Sequence, residues 1–127
     1  MVRAIKNSFV FAVEGLWHAF GSELNLKLFG LVYVVSLLVG ALVPLDGAQW
    51  IALLFSGGMF LTVELINTAL ERLADAFDDH SKIQDDARYL AIKINKDVAA
   101  GASLIAACTW GVILLILFWP FVKHFAV

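Results

Sequence analysis

Within the segment VELINTALERLAD, the polar side chains Glu64, Asn67, Thr68, Glu71 and Asp75 recur at helical spacing. At about 100° per residue they fall within roughly 100° of one another, so one helix would carry a single acidic, amide-bearing face. The residues leading into Glu64 are apolar, so its carboxylate interrupts sequence otherwise fit to span a membrane. Ionisable groups are expensive at membrane depth; where they occur they face a bundle interior or a cavity and mark a functional path. Elsewhere, Glu23 and Lys27 stand at i, i+4, and Lys93, Lys96 and Asp97 lead into a second apolar stretch. Several carboxylates in one place suit a hard, oxygen-ligated cation such as Mg²⁺, which uses one or two carboxylates together with substrate phosphates. A lysine beside them would neutralise an anion, and a carboxylate set deeper could accept a proton from a substrate hydroxyl. Together these are the requirements of phosphoryl transfer.

The elements that must position these groups follow from composition and charge. The chain has 127 residues, enough for one domain, of which 61% are hydrophobic and 16% charged. Its mean hydropathy of +0.87 is far above that of an ordinary soluble domain. The net charge of −2 gives no basis for nucleic-acid binding. A single cysteine, Cys108, excludes an internal disulfide and a thiol metal cluster. Three runs are long enough to span a bilayer: 28–45, 48–70 closing on the acidic face, and 98–122. Pro44, Asp46 and Gly47 predict a turn between the first two. Arg3, Lys6 and Lys27 precede the first span, while Arg72, Lys82, Arg88, Lys93 and Lys96 lie between the second and third. The positive-inside rule therefore puts the N-terminus and the 72–97 connection in the cytoplasm, which brings Glu23, the Glu64 face and Lys96 to one membrane level.

The expected fold is all-α: three transmembrane helices preceded by an amphipathic N-terminal surface helix at about 2–21. In that helix Val2, Ile5, Phe9, Val13, Leu16 and Phe20 share one side, and Arg3, Lys6, Asn7, Glu14 and His18 another. Glu14 and His18 break the apolar core that a signal peptide needs, so the N-terminus is expected to be retained. The segment 76–95 is the most polar of the chain and is expected to be a helix-to-helix connection, partly helical around Asp85 to Ile94.

Each feature also has a plainer explanation. Glu64 could snorkel from a span end, with Asn67 and Thr68 as interhelical hydrogen-bonding groups. Glu23 with Lys27 could be a solvated pair contributing only about 0.3–0.5 kcal/mol. Glu71 and Asp75 are like charges on one face, which destabilises unless a cation offsets it. The run Ala99, Ala100, Gly101, Ala102 suits close helix packing. His18, His80 and His124 lack ligand spacing, and Trp17, Trp50, Trp110 and Trp119 suit interfacial anchoring or packing. A competing function is a small oligomeric proton-coupled transporter with Glu64 as its protonation site.

The segments VELINTALERLAD and NKDVAAGA, with Glu23, Asn25 and Lys27, resemble the signature of the small bacterial integral-membrane lipid kinases, the prokaryotic diacylglycerol kinase and undecaprenol kinase family. The pattern E-x-x-N-[ST]-A-x-E-x-x-x-D, followed by K-D-[MV] and small residues, is matched at every stated position. The resemblance implies phosphorylation of a membrane lipid hydroxyl, giving phosphatidic acid from diacylglycerol or undecaprenyl phosphate from undecaprenol. It implies ATP as co-substrate, Mg²⁺ as cofactor, the bacterial inner (plasma) membrane as location, and a homotrimer with shared active sites. Carried over to this chain, Glu64 is the general base and Glu23 and Glu71 are the metal ligands. Phe11, Glu23, Asn67, Glu71, Lys96 and Asp97 are the nucleotide-binding residues, and Gly15 completes the F-A-x-x-G pattern around Phe11. The sequence has no G-x-x-x-x-G-K-[ST], so a P-loop is excluded. It departs from the family between Asp75 and Lys96, where it is longer and carries Asp85, Asp86 and Arg88. Asp78, Asp79 and His80 are there the nearest match, at shifted spacing, to an acidic–aromatic–His pattern.

Overall fold

The computed structural model describes the backbone of residues 2–80 and 86–125 and the side chains of residues 5–77 and 89–123. Among these residues the chain is all helical: α1 (Val2–Ser22), α2 (Leu24–Leu42), α3 (Gly47–His80) and α4 (Asp86–Phe125). Three of these helices are long and apolar enough to cross a membrane, namely α2, α3 over Gly47–Phe77 and α4 over Tyr89–Lys123. Large apolar side chains such as Leu31, Leu38, Ile105 and Ile116 are exposed on the outside of the bundle. That inversion is stable where the surrounding solvent is hydrocarbon rather than water.

The boundaries have identifiable causes. Between α1 and α2 the chain breaks at Glu23, whose backbone is extended at φ −97° and ψ 121° and whose side chain does not cap α2. The turn anticipated at Pro44–Gly47 joins α2 to α3 and ends in a reciprocal cap: Gln49 N–H donates to Asp46 Oδ1 at 2.8 Å, and Asp46 N–H donates to Gln49 Oε1 at 2.9 Å. This satisfies donors that a helix start otherwise leaves unpaired. At the other end, α3 and α4 continue as helices to His80 and from Asp86, through most of the segment expected as a connection. At 1.5 Å per residue, the 34 residues of α3 span roughly 51 Å, well beyond the ~30 Å of a bilayer core. Ala, Leu, Glu and Arg sustain the helix where the apolar pattern ends.

α3 packs antiparallel to α4 and also carries α2. The centre is aromatic. Phe60 is fully buried, stacks on Trp110 at 5.1 Å between centroids and meets Phe29 edge-on at 4.7 Å. Tyr33 meets Trp110 edge-on at 6.1 Å, and its hydroxyl donates to the Leu54 carbonyl at 3.1 Å. Gly57 makes room for that ring, since a Cβ there would lie 2.4 Å from Tyr33 Cδ2 and Cε2. Along the α3–α4 seam, Phe60 stacks on Trp110, Glu64 meets Ser103 and Asp75 meets Lys96, so the aromatic core sets the register of the polar pairs.

Of the small-residue run on α4, Ala99 is buried while Ala100 and Ala102 are exposed, so the close packing involves one position rather than the whole run. Trp110 is a packing residue. Trp17, 83% exposed, and Trp119, against which Lys123 lies at 5.5 Å, are on the outside. On α1 the residues facing α3 are Phe11, Ala12, Gly15, Leu16 and Ala19, while Ile5, Phe9 and Val13 point outward.

Candidate functional site

The acidic face of α3 forms as its spacing predicts, and it is graded by depth. Glu64, Asn67 and Thr68 are buried at 6%, 8% and 6% exposure, Glu71 is half-buried, and Asp75 is exposed. A carboxylate that deep needs a partner. Glu64 finds one on α4, where Ser103 Oγ–H donates to its Oε2. One turn on, Asn67 Nδ2–H donates to Glu71 Oε1 at 3.1 Å, while Asn67 Oδ1 is buried and has no hydrogen-bond partner among the described residues. A buried amide oxygen left this way is an acceptor or ligand in waiting, because the unmade bond carries a desolvation penalty of about 1–3 kcal/mol.

The other expected residues converge on the same end of the bundle, on two sides of α3. On the α4 side, Lys96 Nζ donates to Asp75 Oδ1 at 2.5 Å. Asp97 is exposed and shares with Asp75, Tyr89, Lys93 and Lys96 a polar recess of about 170 Å³. Below it, Leu70, Phe77, Ala99 and Ala102, with Lys96 on the rim, line an apolar cleft of about 550 Å³ between the two helices. On the α1 side, Phe11 and Gly15 line a groove of about 680 Å³ with Thr68 and Arg72. The F-A-x-x-G residues therefore adjoin the Thr68 edge of the acidic face.

Glu23 does not make the ion pair with Lys27 that its spacing allows. Its Oε1 instead accepts from Arg72 Nη2 at 2.8 Å, across 49 residues of sequence. The same guanidinium donates to Ser22 Oγ and lies 3.3 Å from His18 Nδ1, so Arg72 ties α1, the α1–α2 break and α3 together. The sequence presents Arg72 only as one of the basic residues that set orientation; its neighbour Glu71 on the acidic face was the sole hint of more. Ser103 gave no signal, being one hydroxyl in an apolar helix. Asp78, Asp79 and His80 fall within the backbone of α3, but their side chains, like those of Asp85, Asp86, Arg88 and His124, lie outside the described residues.

Among the described residues, no three His, Cys, Asp or Glu side chains form a ready-made metal cage. The oxygen donors offered are the carboxylates of Glu23 and Glu71 and the orphaned Asn67 Oδ1. Oxygen donors of this kind are those a hard cation such as Mg²⁺ takes when phosphate oxygens complete its shell. Glu23 is free to exchange its partner: the Glu23–Arg72 pair is more than a third exposed on both sides, and such pairs contribute at most about 1 kcal/mol.

Comparison with known proteins identifies the family. The family model described as prokaryotic diacylglycerol kinase matches residues 10–118. An undecaprenol kinase of Bacillus subtilis is 35% identical over 114 residues, which cover 89% of this chain and 86% of that protein. A diacylglycerol kinase of Synechocystis is 32% identical over 100 residues, which cover 79% of this chain and 54% of that protein. The proton-coupled transporter finds no support in these relatives. With three apolar helices and a buried acidic face matched along nearly its whole length, this chain belongs to the prokaryotic diacylglycerol kinase family, a family of lipid kinases.

Proposed function

We propose that this chain transfers the γ-phosphoryl group of ATP to the hydroxyl of a membrane lipid alcohol, diacylglycerol or undecaprenol, in the bacterial inner membrane. The observation that carries the mechanism is the depth gradient on α3, from a buried carboxylate at Glu64 to exposed charge at Asp75. A lipid hydroxyl and a nucleotide phosphate can be met on one helix face, the first from the apolar side and the second from the aqueous side. Glu64 accepts the hydroxyl proton, the alcohol oxygen forms its bond to the γ-phosphorus, and the bond to the bridging oxygen breaks so that ADP departs. Loss of such a base costs roughly 10²–10⁴ in rate.

Glu23 and Glu71 would hold Mg²⁺, which supplies charge neutralisation on the phosphate oxygens. Asn67, hydrogen-bonded to Glu71, orients that carboxylate and offers its free Oδ1. Lys96 is in reach of phosphate once it leaves Asp75, and Asp97 stands next to it in the recess. Phe11 supplies apolar and aromatic surface for a base in the α1–α3 groove. The basic residues at the Glu23 end support a cytoplasmic orientation for it and for the N-terminus, on the side where ATP is present. There α1 lies in the membrane plane with Ile5, Phe9 and Val13 toward lipid. The homotrimer with shared sites is proposed from the family resemblance.

The test is incubation of purified protein in mixed micelles with ATP, Mg²⁺ and either diacylglycerol or undecaprenol, with identification of the phosphorylated lipid. One of the two is expected to be converted, and Glu64→Gln is expected to lower its rate at saturation by at least about 10². Failure with both lipids refutes the activity. Near-normal turnover in Glu64→Gln refutes the base.

A further inference from the structure

We infer that Ser103 is a positioning residue for Glu64, holding one carboxylate oxygen so that the other is aimed at the acceptor hydroxyl. The inference rests on Glu64 being the base. Ser103 and Glu64 are 39 residues apart, on facing helices, and both are buried. A hydroxyl within a helix has a nearby alternative, the carbonyl three or four residues back. Four other hydroxyls along these helices take it: Ser36 to Tyr33 O at 2.7 Å, Ser56 to Ala52 O at 2.6 Å, Thr62 to Gly58 O and Thr109 to Ile105 O, both at 2.9 Å. Ser103 instead crosses to α3 and donates to Glu64 Oε2.

The chemical consequence follows from the shape of the side chain. Glu has three side-chain torsions, and an unpinned carboxylate in a cleft samples several directions. With Oε2 fixed, the plane and reach of the group are defined, and among the described residues Oε1 takes no hydrogen bond. Oε1 is then the atom that receives the proton, while Ser103 keeps its own. A reacting group displaced by about 1 Å can lose on the order of 10² in rate. A hydroxyl serving only as a link between helices would instead contribute to stability and be indifferent to what Glu64 does.

The experiment is a double-mutant cycle on the full-length protein in micelles, with Ser103→Ala, Ser103→Thr, Glu64→Gln and Glu64→Gln/Ser103→Ala. We expect Ser103→Ala to lower the rate at saturating ATP and lipid by about 10–10²-fold, with both KM values within about twofold of wild type. Ser103→Thr, which keeps the donor, restores most of the rate. In the Glu64→Gln background, Ser103→Ala has no further effect, because contacting residues that act as a unit are not additive. A readout independent of turnover is the infrared carboxylate band assigned to Glu64 by its loss in Glu64→Gln, which should shift in Ser103→Ala and return in Ser103→Thr. A wild-type rate in Ser103→Ala, equal losses in both backgrounds, or an unmoved carboxylate band overturns the role of Ser103. If Glu64→Gln itself turns over normally, it is the base assignment that fails.

Discussion

Gly57→Ala should destabilise the bundle, and the neighbouring Gly58→Ala should not. At Gly57 an added Cβ falls 2.4 Å from two atoms of the Tyr33 ring, whereas at Gly58 the nearest atom is Tyr33 Oη at 4.0 Å. The backbone of α3 cannot yield without moving Phe60 and Trp110, so the ring must. Displacing it forfeits the hydroxyl bond to Leu54 O, about 0.5–1.5 kcal/mol, and the edge contact with Trp110, about 0.5–1.5 kcal/mol. Residual overpacking adds strain of about 1–3 kcal/mol, partly offset by up to about 1 kcal/mol gained in replacing a helical glycine by alanine. The net expectation is a loss of about 2–4 kcal/mol for Gly57→Ala and a small gain for Gly58→Ala. Reversible unfolding in mixed detergent micelles, followed by circular dichroism, measures both. Adding Tyr33→Leu should recover part of the loss by removing the clashing ring. Equal stability of Gly57→Ala and wild type, or equal destabilisation at the two glycines, would refute the reasoning.

Glu71→Gln and Glu23→Gln should each raise the Mg²⁺ concentration for half-maximal turnover, since an amide is a weaker ligand for a hard cation; wild-type Mg²⁺ titrations would remove that residue from the metal site. Lys96→Met should lower the rate at saturation more than it raises the lipid KM, because charge on the transferring group is redistributed in the transition state; a loss confined to lipid KM would assign Lys96 to the apolar cleft it borders. Arg72→Met frees Glu23, Ser22 and His18 together and should increase proteolysis or hydrogen exchange in α1 with little change in global unfolding; unchanged protection of α1 would show that the clamp does not hold it.

The spans and the acidic face were legible because both depend on local pattern. Uncharged runs report the bilayer, and five polar residues at helical spacing report one face whatever packs against it. Helix ends were harder. Beyond the membrane, residues 72–80 and 86–97 lose the apolar signal, and polar sequence there reads as a connection although its helix formers carry the helix on. Long-range partners were illegible for a different reason. Glu23 sits four residues from Lys27 and 49 from Arg72, and only the fold shows that the distant cation is the partner. The same holds for Ser103, whose local chemistry predicts a bond to its own helix. Gly57 gave no sign of its role until Tyr33 was seen lying on it.

The length of α3 makes that helix a ruler. Glu64 and Asp75 are eleven residues apart on one uninterrupted rod, roughly 16 Å at 1.5 Å per residue, and neither can move without the other. With Glu64 as the proposed base, the fold would measure the acceptor by the depth of its hydroxyl rather than by the identity of its tail. An alcohol held within the hydrocarbon boundary would meet the carboxylate, and one that floats in the headgroup layer would fall short. Water would meet the same gauge: Asp75 is exposed to it, whereas Glu64 lies in a buried seam, and under the proposed role that burial would disfavour spending the phosphoryl group on hydrolysis.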